Sequence, residues 1–273
     1  MVRRNETSAW FSRIPAVALA LILIGACITS QVAAGPRYVD LELVLAVDAS
    51  DSMSRAEMLI QRNGYIAALR SSDVAAAIAS RGAVALAYME WAGPRSQKIV
   101  VPWTILSDAN DGALFADRLA AAPLSPFYEA VPWERGTSIS HALRFATGMF
   151  SPGQGASRVI DISGDGPQNN GGDLYAARDW VIAEGVVING LPIIISPAAA
   201  WRVPLGIYYE DCVIGGPGAF VITVDDASLF ALAIRRKLVL EIAGPPPRLI
   251  HADFRPDERS PTDCMAFGPR PGR

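Results

Sequence analysis

Histidine and cysteine are both scarce in this 273-residue sequence, at two and three respectively. Neither His141 nor His251 lies in a convincing catalytic motif, which weakens any histidine-based chemistry. Charge is thin too: only 19% of residues are charged and the formal net charge is -3. No basic block or aromatic-basic interleaving is present, so a nucleic-acid surface is excluded. No internal repeat is visible. What remains is 51% hydrophobic content, ample for a sizeable core in one large domain or two small ones.

The amino end reads as an export signal over residues 1–34. Arg3, Arg4 and Arg13 precede an apolar run from Ile14 to Ile28, too short for a comfortable membrane span. Val32-Ala33-Ala34 supplies small residues for cleavage before Gly35. One alternative is a lipoprotein signal, because Ile24-Gly25-Ala26 immediately precedes Cys27; an uncleaved anchor is the third reading. With either form of cleavage the expected location is periplasmic or secreted, with no stable span after processing. Cleavage leaves Cys212 and Cys264, an even pair in an oxidising compartment, and a disulfide between them is expected.

The organising stretch is Leu41 to Ser54, LELVLAVDASDSMS. The apolar run Leu43 to Val47 ends abruptly in Asp48-Ala49-Ser50-Asp51-Ser52, and a helix opens just after it. This is the pattern of a buried parallel strand that delivers a carboxylate and two hydroxyls to the carboxyl edge of a sheet, where open α/β sheets bind ligands. Asp-x-Ser-x-Ser offers three oxygens and no nitrogen or sulfur, a set suited to a hard cation: Mg²⁺ first, with Mn²⁺ or Ca²⁺ as alternatives. The plainer reading is a helix cap, since Ser54-x-x-Glu57 forms a capping box.

Elements then alternate. Ser54 to about Ser71 and Asp73 to Ala79 read as helices, followed by an apolar strand from Ala83 to Met89. Gly93-Pro94 breaks that strand before another, Lys98 to Leu106, which the short turn makes an antiparallel neighbour. Asp111 to Ala121 is helical, and Pro123 to Gly136 is a loop. Thr137 opens an amphipathic helix with Ile139, Ala142, Leu143, Ala146, Met149 and Phe150 on one face. Arg158 to Ser163 is a strand ending in Gly164-Asp165-Gly166, and the polar loop Gln168 to Gly172 leads into a helix around Leu174 to Glu184. Val186 to Ser196 and Gly218 to Val224 read as strands. Asp226 caps a final helix, Ser228 to about Ile242.

The alternation predicts a three-layer, doubly wound α/β domain over 35–243, with a mainly parallel sheet and one antiparallel edge strand. Residues 244–273 are a Pro-rich extension. Right-handed crossovers put every strand-to-helix loop on one edge, and three of these loops carry oxygen ligands: Asp48/Ser50/Ser52, Thr137 and Asp165. Each alone has an ordinary explanation as a cap or turn; their order and place together are less easily accidental. Asp161, mid-strand, reads as structural; Asp51 either strengthens cation binding or, the favoured reading, faces solvent; and His141 is expected to decorate the helix surface.

In these residues the sequence resembles the von Willebrand factor type A domains, over roughly Val39 to Ala243. Those domains use Asp-x-Ser-x-Ser after the first strand, a Thr before a later helix and an Asp after the fourth strand as a metal-ion-dependent adhesion site. More narrowly, Val159-Ile160-Asp161-Ile162-Ser163-Gly164-Asp165-Gly166-Pro167, Tyr208-Tyr209, and Cys212 to Phe220 resemble an uncharacterised group of exported bacterial proteins. Two departures stand out: Asp51 where the family often has Gly, and Ser163-Gly164-Asp165-Gly166 where many relatives have Thr-Asp-Gly. The resemblance implies a non-catalytic, metal-dependent binding module whose protein partner offers a carboxylate to the cation. A metal-dependent phosphoryl hydrolase using Asp48 as nucleophile is the rival, although the expected second carboxylate and phosphate-holding cation are not evident. A structural scaffold with a vacant site is the third reading.

Overall fold

Strand β1 (Leu41–Asp48) is buried along its whole length and lies at the centre of a five-stranded sheet of order β3-β2-β1-β4-β5. It pairs in parallel with β2 (Val84–Trp91) on one side and β4 (Ser157–Gly164) on the other, with Val47 opposite both Glu90 and Ser163. Strand β5 (Val186–Pro192) extends the parallel set, and β3 (Gln97–Leu106) runs antiparallel along β2. The expected architecture, including the single antiparallel edge strand, is therefore observed. In this computed structural model the described residues are 38–125, 135–150, 156–194, 203–244 and 262–264. The expected signal sequence, Cys27 and most of the Pro-rich extension lie outside them.

Alternation along β1 feeds two cores. Leu41, Leu43, Leu45 and Val47 pack with Tyr65, Val74, Phe115 and Phe230, from α1 (Arg55–Leu69), α2 (Ser72–Arg81), α3 (Ala109–Ala121) and α7 (Phe230–Ala243). Val44 and Ala46 point the other way, toward Ile139, Leu143, Leu174 and Val181 of α4 (Ile139–Thr147) and α5 (Leu174–Ala183). A strand covered on both faces has no use for polar alternation, which is why β1 reads as a continuous apolar run. Its carboxyl end, with those of β2 and β4, forms one edge, and the capping box Ser54/Glu57 starts α1 just beyond it.

Two expectations are corrected. Strand β5 stops at Pro192, and Gly218 to Val224 is no strand: it makes only the isolated bridges Gly190–Val221 and Ile193–Val224. Pro217 has no N–H to give, and Gly216 and Gly218 take φ of 94° and 76°, which turns the chain before a ladder can propagate. Leu205–Tyr208 forms a short helix, α6, continuous with a π-helical turn at Tyr209–Val213. Neither was expected from the sequence. Cys212 in that turn is bonded to Cys264, with Cα atoms 5.7 Å apart, as expected. Among the described residues no helix is long and apolar enough to cross a membrane.

Mid-strand Asp161 has a structural partner. It forms an ion pair with Lys237 of α7 at 2.9 Å, and Lys237 also pairs with Glu241, all three essentially inaccessible to water. Asn189 Nδ2 donates to Glu241 Oε1 at 3.1 Å. Two carboxyl groups share one ammonium: burial and then repulsion from Asp161 push Glu241 up to about 8, and burial raises Asp161 against the pull of Lys237.

Candidate metal site

The chain reverses sharply after β1 because Asp48 Oδ1 accepts the Ser50 N–H at 2.7 Å, a local turn that aspartate forms readily. This turn lifts Ser50 and Ser52 onto the sheet edge, with their hydroxyl oxygens 2.9 Å apart. Ser52 Oγ donates to Asp165 Oδ1 at 2.7 Å, and Thr137 Oγ1 donates to Ser50 Oγ at 3.4 Å. Asp48, Ser50, Ser52, Thr137 and Asp165, drawn from three separate loops, thus form one continuous cluster of oxygens. Asp51 does not join it; exposed, it faces Arg135 Nε at 3.6 Å.

Thr137 is not the cap of α4. Ser138 occupies that position, without a side-chain cap bond, and its N–H is satisfied by Ala92 O at 2.9 Å. Thr137 is instead held by the polar loop after β4: its N–H donates to Asn169 Oδ1 at 2.8 Å, and its carbonyl accepts from Asn169 and Asn170. Gly136, at φ 99°, lets Asn169 approach, since a Cβ there would fall 2.5 Å from Asn169 Oδ1. Gln168 fixes the same loop by accepting from Ser140 N at 2.7 Å and donating to Gly172 O. His141, expected on the surface, is half-buried and its Nδ1 pairs with Ser138 Oγ at 2.8 Å.

Gln61 of α1 supports the edge from beneath. Its Nε2 donates to the Asp48 carbonyl at 3.0 Å, and its Oε1 accepts from Ser163 Oγ at 2.8 Å, joining the ends of β1 and β4. Sequence reasoning passed over Gln61, although a polar residue between Met58 and Tyr65 on the buried helix face was a usable signal. Asn169 and Gln168 were visible only as a polar loop.

The electrostatics are unbalanced. Asp48 is buried, its Oδ2 has no hydrogen-bond partner among the described residues, and its carboxyl is raised well above the ordinary range by burial first and by the nearby Asp165 second. Hydrogen bonds from Ser50 oppose that rise. Asp165 is raised mainly by burial, against the hydrogen bond from Ser52. An unpaired buried carboxylate oxygen costs free energy unless something positive meets it. Three hydroxyls and two carboxylates fit a hard divalent cation, and would hold it through Ser50, Ser52 and Thr137 with Asp48 and Asp165 supplying charge. Among the described residues no group of three or more His, Cys, Asp or Glu is placed to hold a metal, so this hydroxyl-rich set is of a different kind.

The profile of the family described as "Protein of unknown function (DUF1194)" matches residues 38–246. None of the curated proteins matches the chain. Among solved structures, the chain is similar to the pilus adhesin SpaC from Lactobacillus rhamnosus GG in its open conformation, with TM-score 0.54 and 14% identity over 75% of this chain and 30% of that one. It is similar to a von Willebrand factor type A protein from Catenulispora acidiphila, with TM-score 0.51 and 15% identity over 75% and 43%. Proximal thread matrix protein 1 from the mussel byssus gives TM-score 0.51 and 12% identity over 75% and 48%. The chain therefore spans less than half of each of these proteins. At such identities the likeness shows the fold, which is that of the von Willebrand factor type A domain.

Proposed function

The chain belongs to the family described as protein of unknown function (DUF1194), and from its site we propose an exported, non-catalytic binding module that recognises a protein partner through a divalent cation. The observation that carries this reading is the buried, unpartnered Asp48 Oδ2 in a cluster of three hydroxyls and a second carboxylate. Such a cation, Mg²⁺ first, keeps excess positive charge and accepts a carboxylate from the partner. The protein's part is to orient the oxygens: Asp48 through its turn bond to Ser50, Thr137 through Asn169, and Asp165 through Ser52.

Three neutral hydroxyls matter here, because a fully anionic set would neutralise the ion and remove its attraction for another anion. The fold adds a second line of support, since a pilus adhesin and a byssal matrix protein share it. The Cys212–Cys264 bond fits an oxidising compartment, in keeping with a mature chain that begins at Gly35.

Calorimetric titration of chelator-treated protein with Mg²⁺, Mn²⁺ and Ca²⁺ is the test. Saturable binding by wild type and none by Asp48→Ala is the expected result. No binding at millimolar cation would leave a scaffold only, and cation-dependent hydrolysis of a phosphate ester that vanishes in Asp48→Asn would make the protein an enzyme.

A further inference from the structure

Two consecutive tyrosines sit where α6 passes into the π-helical turn, and both reach the candidate site. Tyr208 OH accepts the Gln168 N–H at 3.1 Å, bracing the loop that holds Thr137. Tyr209 is fully buried. Its hydroxyl oxygen and Asp48 Oδ2 each lie 2.8 Å from the point that a Cβ on Gly164 would occupy. Neither oxygen has a hydrogen-bond partner among the described residues. One group is a phenol with a proton to donate, and the other is a carboxylate oxygen that only accepts. Two buried orphans of complementary kind border one gap at the end of β4.

The route to that gap is cleared by glycine twice. Gly164 leaves the gap open, and a Cβ on Gly190 of β5 would fall 2.7 Å from Tyr209 Cδ1, so the ring passes where any other residue would block it. The turn that presents Tyr209 closes through the bond from Ile214 N to Tyr209 O at 3.0 Å, and single π-turns of this type are frequent at functional sites. The same turn carries Cys212, bonded to Cys264. Asp211 Oδ2 also accepts from Thr262 N at 3.2 Å and Thr262 Oγ1 at 2.6 Å. Residues 262–264 are therefore fastened to the turn at two points.

We propose that Tyr209 is a positioning residue of the candidate cation site, orienting Asp48 Oδ2 through its phenol hydroxyl, and that the Cys212–Cys264 disulfide keeps the turn bearing Tyr209 in place. The inference rests on the cation-site reading above. Supporting groups behind metal-holding side chains set the orientation of those side chains, and their loss weakens metal affinity without removing a ligand.

Three measurements on the full mature chain test it. In chelator, melting of Asp48→Ala, Tyr209→Phe and the double variant should be non-additive, because the two groups border one gap and each single change removes the proposed pairing. Strict additivity would overturn the pairing; Asp48→Asn serves in place of the alanine variant if that one does not fold. With Mg²⁺ or Mn²⁺, Tyr209→Phe should bind about 10- to 100-fold more weakly than wild type. The tyrosine absorption change on cation addition should also vanish in Tyr209→Phe, a signal that a packing role would not move. Equal affinity in the two proteins would overturn the inference while leaving the cation site standing. A wild type that binds no cation overturns the cation reading itself and this one with it. The paired Cys212→Ser/Cys264→Ser variant should lose affinity in the same direction, and unchanged affinity would remove the disulfide from the proposal.

Discussion

Ser52 Oγ donates to Asp165 Oδ1 at 2.7 Å although 113 positions separate them in the chain. That bond joins the first strand-to-helix loop to the fourth strand's end, and it exists because β1 and β4 are parallel neighbours with Val47 opposite Ser163. A serine hydroxyl and a carboxylate that meet only through sheet topology are a demanding indicator of the fold, and they point to where its sensitivity lies.

Substitutions among the five clustered residues should rank by charge. Asp48→Ala should abolish cation binding and leave the cation-free protein folded, because the two cores do not involve it. Asp165→Asn should weaken binding strongly, and Thr137→Ala least, since it deletes one neutral oxygen. Thr137 caps no helix, so its truncation should cost the fold only about 1 kcal/mol. At a hundred times the dissociation constant, cation should stabilise wild type by about 2.7 kcal/mol and Asp48→Ala by nothing. Calorimetry and thermal melting read both quantities.

Gly164→Ala should damage the site more than the fold. The added methyl would meet Asp48 Oδ2 and Tyr209 OH at 2.8 Å, so one or both must move. Overpacking of this kind costs about 1–3 kcal/mol. The expected loss in cation affinity is about tenfold or more, the scale seen when supporting contacts are disturbed. A Gly164→Ala protein that binds cation as wild type does would show that the gap has slack.

The buried Asp161–Lys237–Glu241 cluster should make stability depend on pH, independently of any cation. Glu241 is raised from 4.5 to about 8, so across that window the folded protein keeps a proton that the unfolded chain releases. Stability should therefore fall as pH rises from about 4.5 to 8, by up to roughly 1 kcal/mol per pH unit. Glu241→Gln should flatten the slope, and a slope unchanged by that variant would assign it elsewhere. Lys237→Met leaves the Asp161 carboxylate buried without its ammonium and should destabilise by about 3–5 kcal/mol at neutral pH.

Breaking the disulfide should lower stability as well. The Cys212–Cys264 bond closes a loop with a sequence separation of 52. The chain-entropy model gives about 4 kcal/mol for a loop of that size. Chemical denaturation of oxidised protein against Cys212→Ser/Cys264→Ser checks this, and equal midpoints would refute it.

Much of this protein is legible from local pattern. The apolar run to Val47, the Asp48–Ser52 turn, the Ser54 capping box and the stripe from Ile139 to Ala146 each involve neighbours within a few residues, where backbone geometry and periodicity leave few choices. The doubly wound sheet follows from that alternation, as does the gathering of Asp48, Thr137 and Asp165 on one edge. Tertiary structure decided the rest. Lys237, in the run Arg235-Arg236-Lys237, has the look of a surface residue, yet it is buried against Asp161 of β4, with Glu241 one turn along its own helix completing the cluster. Gly218 to Val224 has strand composition, but its pairing depends on the turn at Gly216 to Gly218 meeting β5. The Tyr209 hydroxyl and Asp48 Oδ2 come to border one gap only because Gly164 and Gly190, on different strands, leave room for them. Composition and spacing determine how a segment folds against itself; which buried donor faces which buried acceptor is set by contacts between distant segments, and no local pattern encodes them.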